Sequence, residues 1–264
     1  MILIDTHCHL THERLAARAD LVVAEARAAG VALCITAASD VEDSRRAAAL
    51  ASRLEGVYAS AGVHPHEAKD APGDYLEQLE QIAHSAGKKC VAVGEMGLDY
   101  HYDFSPRDRQ RQVFEEQLDL AARLGLPVIV HCREAAEDTL AILARAAGKL
   151  AGVIHSFTGD SVEVRRFLEQ GWHIGFAGII TFKNAQANRE AARLVPADRV
   201  LVETDAPYLS PEPVRKIFPN VPAHIVHTAR LLAELRGVAL EALAEQTTAN
   251  ARRLFNLGEN LNLR

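Results

Sequence analysis

MILIDTHCHL, residues 1–10, runs from an aliphatic stretch directly into two histidines, His7 and His9, with one residue between them. In an extended strand side chains alternate faces, so positions two apart point the same way. His7 and His9 therefore present two imidazoles to one point in space, while Cys8 turns to the opposite face. That is the geometry of a metal grip, provided that other segments bring further ligands to the same place. An open, doubly wound nucleotide-binding sheet carries a glycine fingerprint after its first strand. DTHCHL (5–10) stands in that position instead.

Short apolar runs then alternate with stretches of helical periodicity along the whole chain. ILID (2–5) precedes a helix predicted near 17–29, ALCITA (32–37) precedes 40–54, VYASAG (57–62) precedes 74–86, and CVAVG (90–94) precedes 106–124. PVIVH (127–131) precedes 134–146, AGVIH (151–155) precedes 160–170, WHIGF (172–176) precedes 185–194, and RVLVE (199–203) precedes 222–236, with a last helix near 239–255. Strands this apolar suit a sheet covered on both faces, and the alternation requires parallel pairing. Eight such units predict a (β/α)8 TIM barrel. No linker or low-complexity tract interrupts the pattern, so residues 1–264 read as a single domain.

The formal net charge of −6 argues against a broad basic face that grips duplex nucleic acid. It is compatible with an enzyme that handles phosphates locally through metal ions. No apolar run approaches the roughly 18 residues of a membrane span, and no basic-then-apolar leader opens the chain. The expectation is a cytoplasmic, monomeric protein with no membrane role and no obligatory protein partner. Cys8, Cys34, Cys90 and Cys132 form no C-x-x-C pair and read as buried thiols.

The strand ends carry the chemistry. His7 and His9 follow strand 1, His64 and His66 strand 3, Glu95 strand 4, His131 and Arg133 strand 5, His155 strand 6, and Glu203 and Asp205 strand 8. In a parallel barrel all these ends meet at one mouth, where barrel enzymes place their active sites. Six of these residues, His7, His9, Glu95, His131, His155 and Asp205, exceed what one four-coordinate ion needs. They suit two divalent cations about 3.5–4 Å apart, with His7, His9 and Asp205 on one, His131 and His155 on the other, and Glu95 bridging. Water between two such ions would be acidified into a nucleophile. Nitrogen-rich ligation favours zinc, manganese or similar ions over magnesium, although the identity stays open among Zn, Mn and Mg.

DTHCHL, GVHPHEA, VAVGEMGLDYHYD, RQVFEEQLDLAARLGLPVIVHCREA, GVIHSFTG, GFAGIITFKNA and VLVETDAPYL together resemble the TatD family of metal-dependent deoxyribonucleases, within the amidohydrolase superfamily, nearly end to end. The resemblance implies a (β/α)8 barrel and a binuclear site built from the same six residues. It also implies hydrolysis of DNA phosphodiester bonds, commonly from a 3′ end, with single-stranded or damaged DNA as substrate. One segment departs from the family pattern: VRKIFPNVPAHIV (214–226) lacks a glycine and has Val221 where an acidic residue is common, although Arg215, Lys216, Asn220 and Pro222 fit.

Asp205 is the candidate both for ligand and for acceptor of the attacking water's proton, and with the bridging Glu95 it forms the candidate catalytic pair. Glu203 shares the face of Asp205 and is placed to orient a histidine. Arg133 can meet a phosphate oxygen bidentately. His66, Lys183, Arg215 and Lys216 lie on loops where a phosphate could rest, and Tyr100, Phe157 and Tyr208 are candidates to stack on bases. His64 reads as part of a structural turn. His12, His84, His101, His173, His224 and His227 show no converging partner. Two rival readings remain: ester or amide hydrolysis by the same site, as in aminoacyl-tRNA deacylation, or metal held without catalysis.

Overall fold

The computed structural model describes residues 1–258. Eight strands, β1 (Leu3–Cys8), β2 (Val31–Thr36), β3 (Val57–Ala61), β4 (Cys90–Asp99), β5 (Val128–Arg133), β6 (Gly152–Ile154), β7 (His173–Phe176) and β8 (Val200–Val202), pair in parallel and in sequence order. The ring closes beyond the last regular ladder, where the Asp205 amide donates to His7 O (2.9 Å) and the His9 amide donates to Ala206 O (2.7 Å). Helices α1 (Glu13–Ala16), α2 (Ala19–Ala28), α3 (Val41–Arg53), α4 (Tyr75–Ala86), α5 (Arg107–Leu124), α6 (Ala136–Leu143), α7 (Ser161–Glu169), α8 (Gln186–Leu194), α9 (Ile225–Arg236) and α10 (Leu240–Phe255) alternate with them. This is the TIM barrel expected from the alternation of runs.

Alternation along the strands divides the apolar side chains between two cores. Ile4, Leu33, Ile129, Val153 and Leu201 form one cluster with Leu254, Phe255 and Leu257, so the last turn of α10 and Leu257 just beyond it plug the lower mouth of the barrel. Leu3, Cys34, Val128, Val130, Ile154, Val200 and Val202 belong to the other, packed under the helices. Burying each large side chain stabilises the fold by about 1.5–3 kcal/mol. At the base of β8, Asn250 of α10 donates to the carbonyls of Ala197 (2.7 Å) and Val200 (2.8 Å). With the bottom sealed by hydrocarbon, the upper mouth is the open end.

Two strands run further than their apolar stretches. β1 continues through His7 to Cys8, and β4 continues past Glu95 to Asp99. Gly97 makes the second extension possible. It sits at φ +136°, and a Cβ there would lie 2.0 Å from the His131 carbonyl oxygen. Only glycine lets β4 approach β5 this closely and carry Glu95 and Asp99 to the same mouth.

Candidate metal centre

Glu95 lies at the centre of the mouth, only 2% exposed. Its two oxygens face different groups of histidines. Oε2 is 3.2 Å from His7 Nε2 and 3.8 Å from His9 Nε2. Oε1 is 2.7 Å from His155 Nε2, 2.9 Å from His131 Nδ1 and 3.3 Å from His64 Nε2. Asp205 joins the first group, with Oδ1 3.3 Å from His9 Nε2 and 3.7 Å from His7 Nε2. The His7 and His155 rings stack, with centroids 3.9 Å apart and planes at 12°, so the two groups abut. All six residues singled out at the strand ends come together here.

Backbone and buried side chains hold this arrangement. Asp205 adopts φ +58°, a conformation that a non-glycine residue resists. The turn is pinned on both sides. Asp5 accepts from the Thr204 amide (2.9 Å) and hydroxyl (2.5 Å), and Asn220 Nδ2 donates to Thr204 O (3.1 Å) and Tyr208 O (2.7 Å). The asparagine retained in the divergent 214–226 segment thus supports the loop that presents Asp205.

Around the centre stand carboxylates that orient the rings. Glu203, fully buried, accepts from the Ser156 amide and places Oε1 3.5 Å from His155 Nδ1. Gly175 leaves room for it, because a Cβ there would lie 2.6 Å from Glu203 Oε2. Asp99, also fully buried, meets His131 Nε2 at 3.1 Å and His66 Nε2 at 2.9 Å through Oδ2. Its Oδ1 accepts from the amides of His101 (3.0 Å) and Tyr102 (2.9 Å). Sequence reasoning missed both Asp99 and His64. The signals were there: Asp99 is four residues beyond Glu95 on the same strand face, and His64-x-His66 repeats the spacing of His7-x-His9.

Electrostatics separates the histidines. Burial would make Glu95 harder to ionise, but His155, His64 and His7 outweigh it and hold its carboxyl well below the usual range. Burial likewise opposes Asp205, and the hydrogen bond from His9 with the charges of His7 and His155 brings its pKa down. Burial pushes His64 down to about 4 and also lowers His7. His9, His131 and His155 are raised despite burial, by the carboxylates they face.

The donor set fits divalent cations. His7 Nε2 lies 3.2 Å from His9 Nε2, and His131 Nδ1 lies 3.2 Å from His155 Nε2. Two ligand atoms about 2.1 Å from one tetrahedral ion lie about 3.4 Å apart, so this spacing is what a shared cation requires. A facing pair of imidazole nitrogens can share only one proton, whereas each can offer its lone pair to an ion. Three clusters, His7–His9–Glu95, His7–His155–Asp205 and His64–Glu95–His131, each bring ligand atoms within 4.8 Å of one another.

A cavity of about 950 Å³ opens over this cluster. His66 and Arg133 line it, as does Tyr208, which meets His9 edge-on at 6.0 Å. Tyr100 does not: its hydroxyl bonds Asp138 (2.5 Å) and Arg111 (3.1 Å) on the helical side of β4. Phe157 is buried against Phe167 and Phe176. Lys183, Arg215 and Lys216 lie outside the cavity lining, and the Arg215 guanidinium sits 3.5 Å over the Phe182 ring. Tyr102 and Phe104 reach the rim where Tyr100 does not.

A barrel that gathers imidazoles around a buried carboxylate at its open mouth is equipped for hydrolysis assisted by divalent cations, which places the chain among the metal-dependent hydrolases. The family can be named as well. The model for TatD related DNases matches residues 4–256, and the chain belongs to that family. It is 38% identical over 257 residues, covering 97% of this chain and 100% of the relative, to the uncharacterized metal-dependent hydrolase YabD of Bacillus subtilis. It is 41% identical over 261 residues, covering 97% and 100%, to the 3′-5′ ssDNA/RNA exonuclease TatD of Erwinia tasmaniensis. The crystal structure of the TatD homolog YJJV from Escherichia coli superposes with a TM-score of 0.91 at 33% identity, covering 97% of this chain and 98% of that one. No helix among the described residues is long and apolar enough to cross a membrane.

Proposed function

We propose that this chain is a two-cation phosphodiesterase that removes nucleotides from the 3′ end of single-stranded nucleic acid. His7, His9 and Asp205 would hold one cation and His131 and His155 the other, with His64 beside them and Glu95 available to both. The observation that carries this reading is the buried Glu95 carboxylate, each of whose oxygens faces its own set of imidazoles. The naming of several relatives as 3′-5′ ssDNA/RNA exonucleases supports the choice of substrate over an aminoacyl ester or an amide.

Bound there, divalent cations supply Lewis acidity toward a phosphoryl oxygen and acidify nearby water. Asp205 lines the cavity with Oδ1 turned to His7 and His9, leaving Oδ2 to accept a proton from the attacking water and return it to the leaving 3′ oxygen. The His9 hydrogen bond and the neighbouring imidazoles favour its ionised form. Glu203 and Asp99 fix the rings of His155 and His131 from behind. Arg133 at the cavity wall is placed to hold a non-bridging phosphate oxygen. The test pairs elemental analysis with degradation of 3′-labelled single-stranded DNA by wild type and Glu95→Ala. Loss of both metal and cutting in the variant is expected. Undiminished cutting by Glu95→Ala, or release of only the acyl group from a charged tRNA, would overturn the proposal.

A further inference from the structure

We propose that Tyr102 and Phe104 form a nucleobase-stacking subsite on the rim of the cavity, seating the base beside the scissile phosphate. This deepens the nuclease reading above and rests on it. The two rings lie parallel, 18° apart in plane with centroids separated by 5.1 Å, and remain 48% and 55% exposed. The Arg133 guanidinium lies 4.6 Å over the Tyr102 ring, and His66 meets Phe104 edge-on at 4.8 Å. About half of each ring's surface stays open to solvent beside the cavity. A flat π surface flanked by a cation and opening into the cavity matches the face of a base and its adjoining phosphate.

The platform is tied to the metal centre through one side chain. Asp99 holds the Tyr102 and His101 amides with Oδ1 and meets His131 and His66 with Oδ2. A base seated on the exposed outer part of this stack is therefore linked through Tyr102 and Asp99 to the ring of His131, which fixes where its phosphate falls. Every base offers a π face, so the subsite tolerates any sequence. A paired 3′ base can reach the rings only by breaking its pair and leaving its stack, so the subsite favours unpaired ends.

Two substrates and one fluorescent probe test this. The substrates are a single-stranded oligodeoxynucleotide and the same strand with abasic residues at its 3′ end. The probe carries 2-aminopurine at the 3′ end behind a hydrolysis-resistant phosphorothioate linkage. Metal-loaded wild type is expected to favour the strand with bases by about tenfold in kcat/KM, the loss that follows from giving up one stacked base. In Tyr102→Ala/Phe104→Ala that ratio is expected to collapse toward one, whereas Tyr102→Phe keeps it. Wild type should quench 2-aminopurine and the double variant should not. A double variant that retains both the wild-type ratio and the quenching overturns the subsite, even if the enzyme is a nuclease. Quenching that depends on the two rings in a protein that cuts neither strand upholds the subsite and refutes the nuclease reading. Absence of quenching in wild type overturns the subsite whatever is cut.

Discussion

Replacing Asp99 with asparagine changes one atom and tests how the His131 ring is held. The carboxamide oxygen can still accept from the amides of His101 and Tyr102, now held at 3.0 and 2.9 Å, so the loop loses little. The other atom becomes an NH2 donor facing His131 Nε2 (3.1 Å) and His66 Nε2 (2.9 Å). To keep that contact, His131 must move its proton to Nδ1, the atom 2.9 Å from Glu95 Oε1 and 3.2 Å from His155 Nε2. A protonated Nδ1 cannot bind a cation. A hydrogen bond to a charged group contributes about 1.5–3 kcal/mol, and loss of such an outer partner typically weakens metal binding by about 10–100-fold. The two figures agree, since 100-fold is about 2.7 kcal/mol. Competition with a chelator for zinc or manganese should therefore show affinity in Asp99→Asn reduced by one to two orders of magnitude. Affinity within twofold of wild type would mean that Asp99 does not set the tautomer of His131.

Stripping divalent cations with EDTA should abolish hydrolysis and lower the Tm, because an ion bound only by the folded state stabilises it; a Tm unmoved by chelator or by metal would count against the site. His173 is 6% exposed, and neither ring nitrogen makes a well-formed hydrogen bond among the described residues, with the Gly152 backbone its polar neighbour. Burial, with the nearby Arg199 charge, pushes its pKa down to about 4. The unfolded chain takes up this proton near pH 6.5 and the folded chain does not, so this contribution is complete above that pH. It declines by up to about 3 kcal/mol as the pH falls toward 4; urea midpoints of wild type and His173→Leu that fall equally across that window would contradict the assignment. Phe255→Ala should lower stability by about 3–5 kcal/mol while sparing kcat/KM per folded molecule, and a urea midpoint close to wild type would show that α10 is not the plug. Gly97→Ala should yield little folded protein, since its Cβ would meet the His131 carbonyl at 2.0 Å, and a soluble, fully active variant would contradict the close packing of β4 on β5.

Much of this architecture was legible because apolar runs of four to six residues and helical stretches alternate with little ambiguity. The least accurate strand boundaries were those of β1 and β4, whose apolar runs stop at Asp5 and Gly94 although the strands continue to Cys8 and Asp99. In β4 that error had consequences. Ending the strand at Gly94 leaves Asp99 in an apparent loop and makes Tyr100 look like a mouth residue. With the strand running to Asp99, Tyr100 turns outward to Asp138 and Arg111, and Tyr102 and Phe104 occupy the rim. His64 was hidden by Pro65, which marks a turn but does not prevent its ring from reaching Glu95 at 3.3 Å. The placement of Lys183, Arg215 and Lys216 follows from loop paths that no periodicity encodes. His7, His9, Glu95, His131, His155 and Asp205 were readable because a parallel barrel sends every strand end to one face.

The most direct test of the paired-cation site is anomalous diffraction from crystals of the metal-loaded protein. Two peaks about 3.5–4 Å apart are expected, one on each side of the Glu95 carboxylate. A single peak enclosed by four protein ligands, or none at saturating metal, would contradict it.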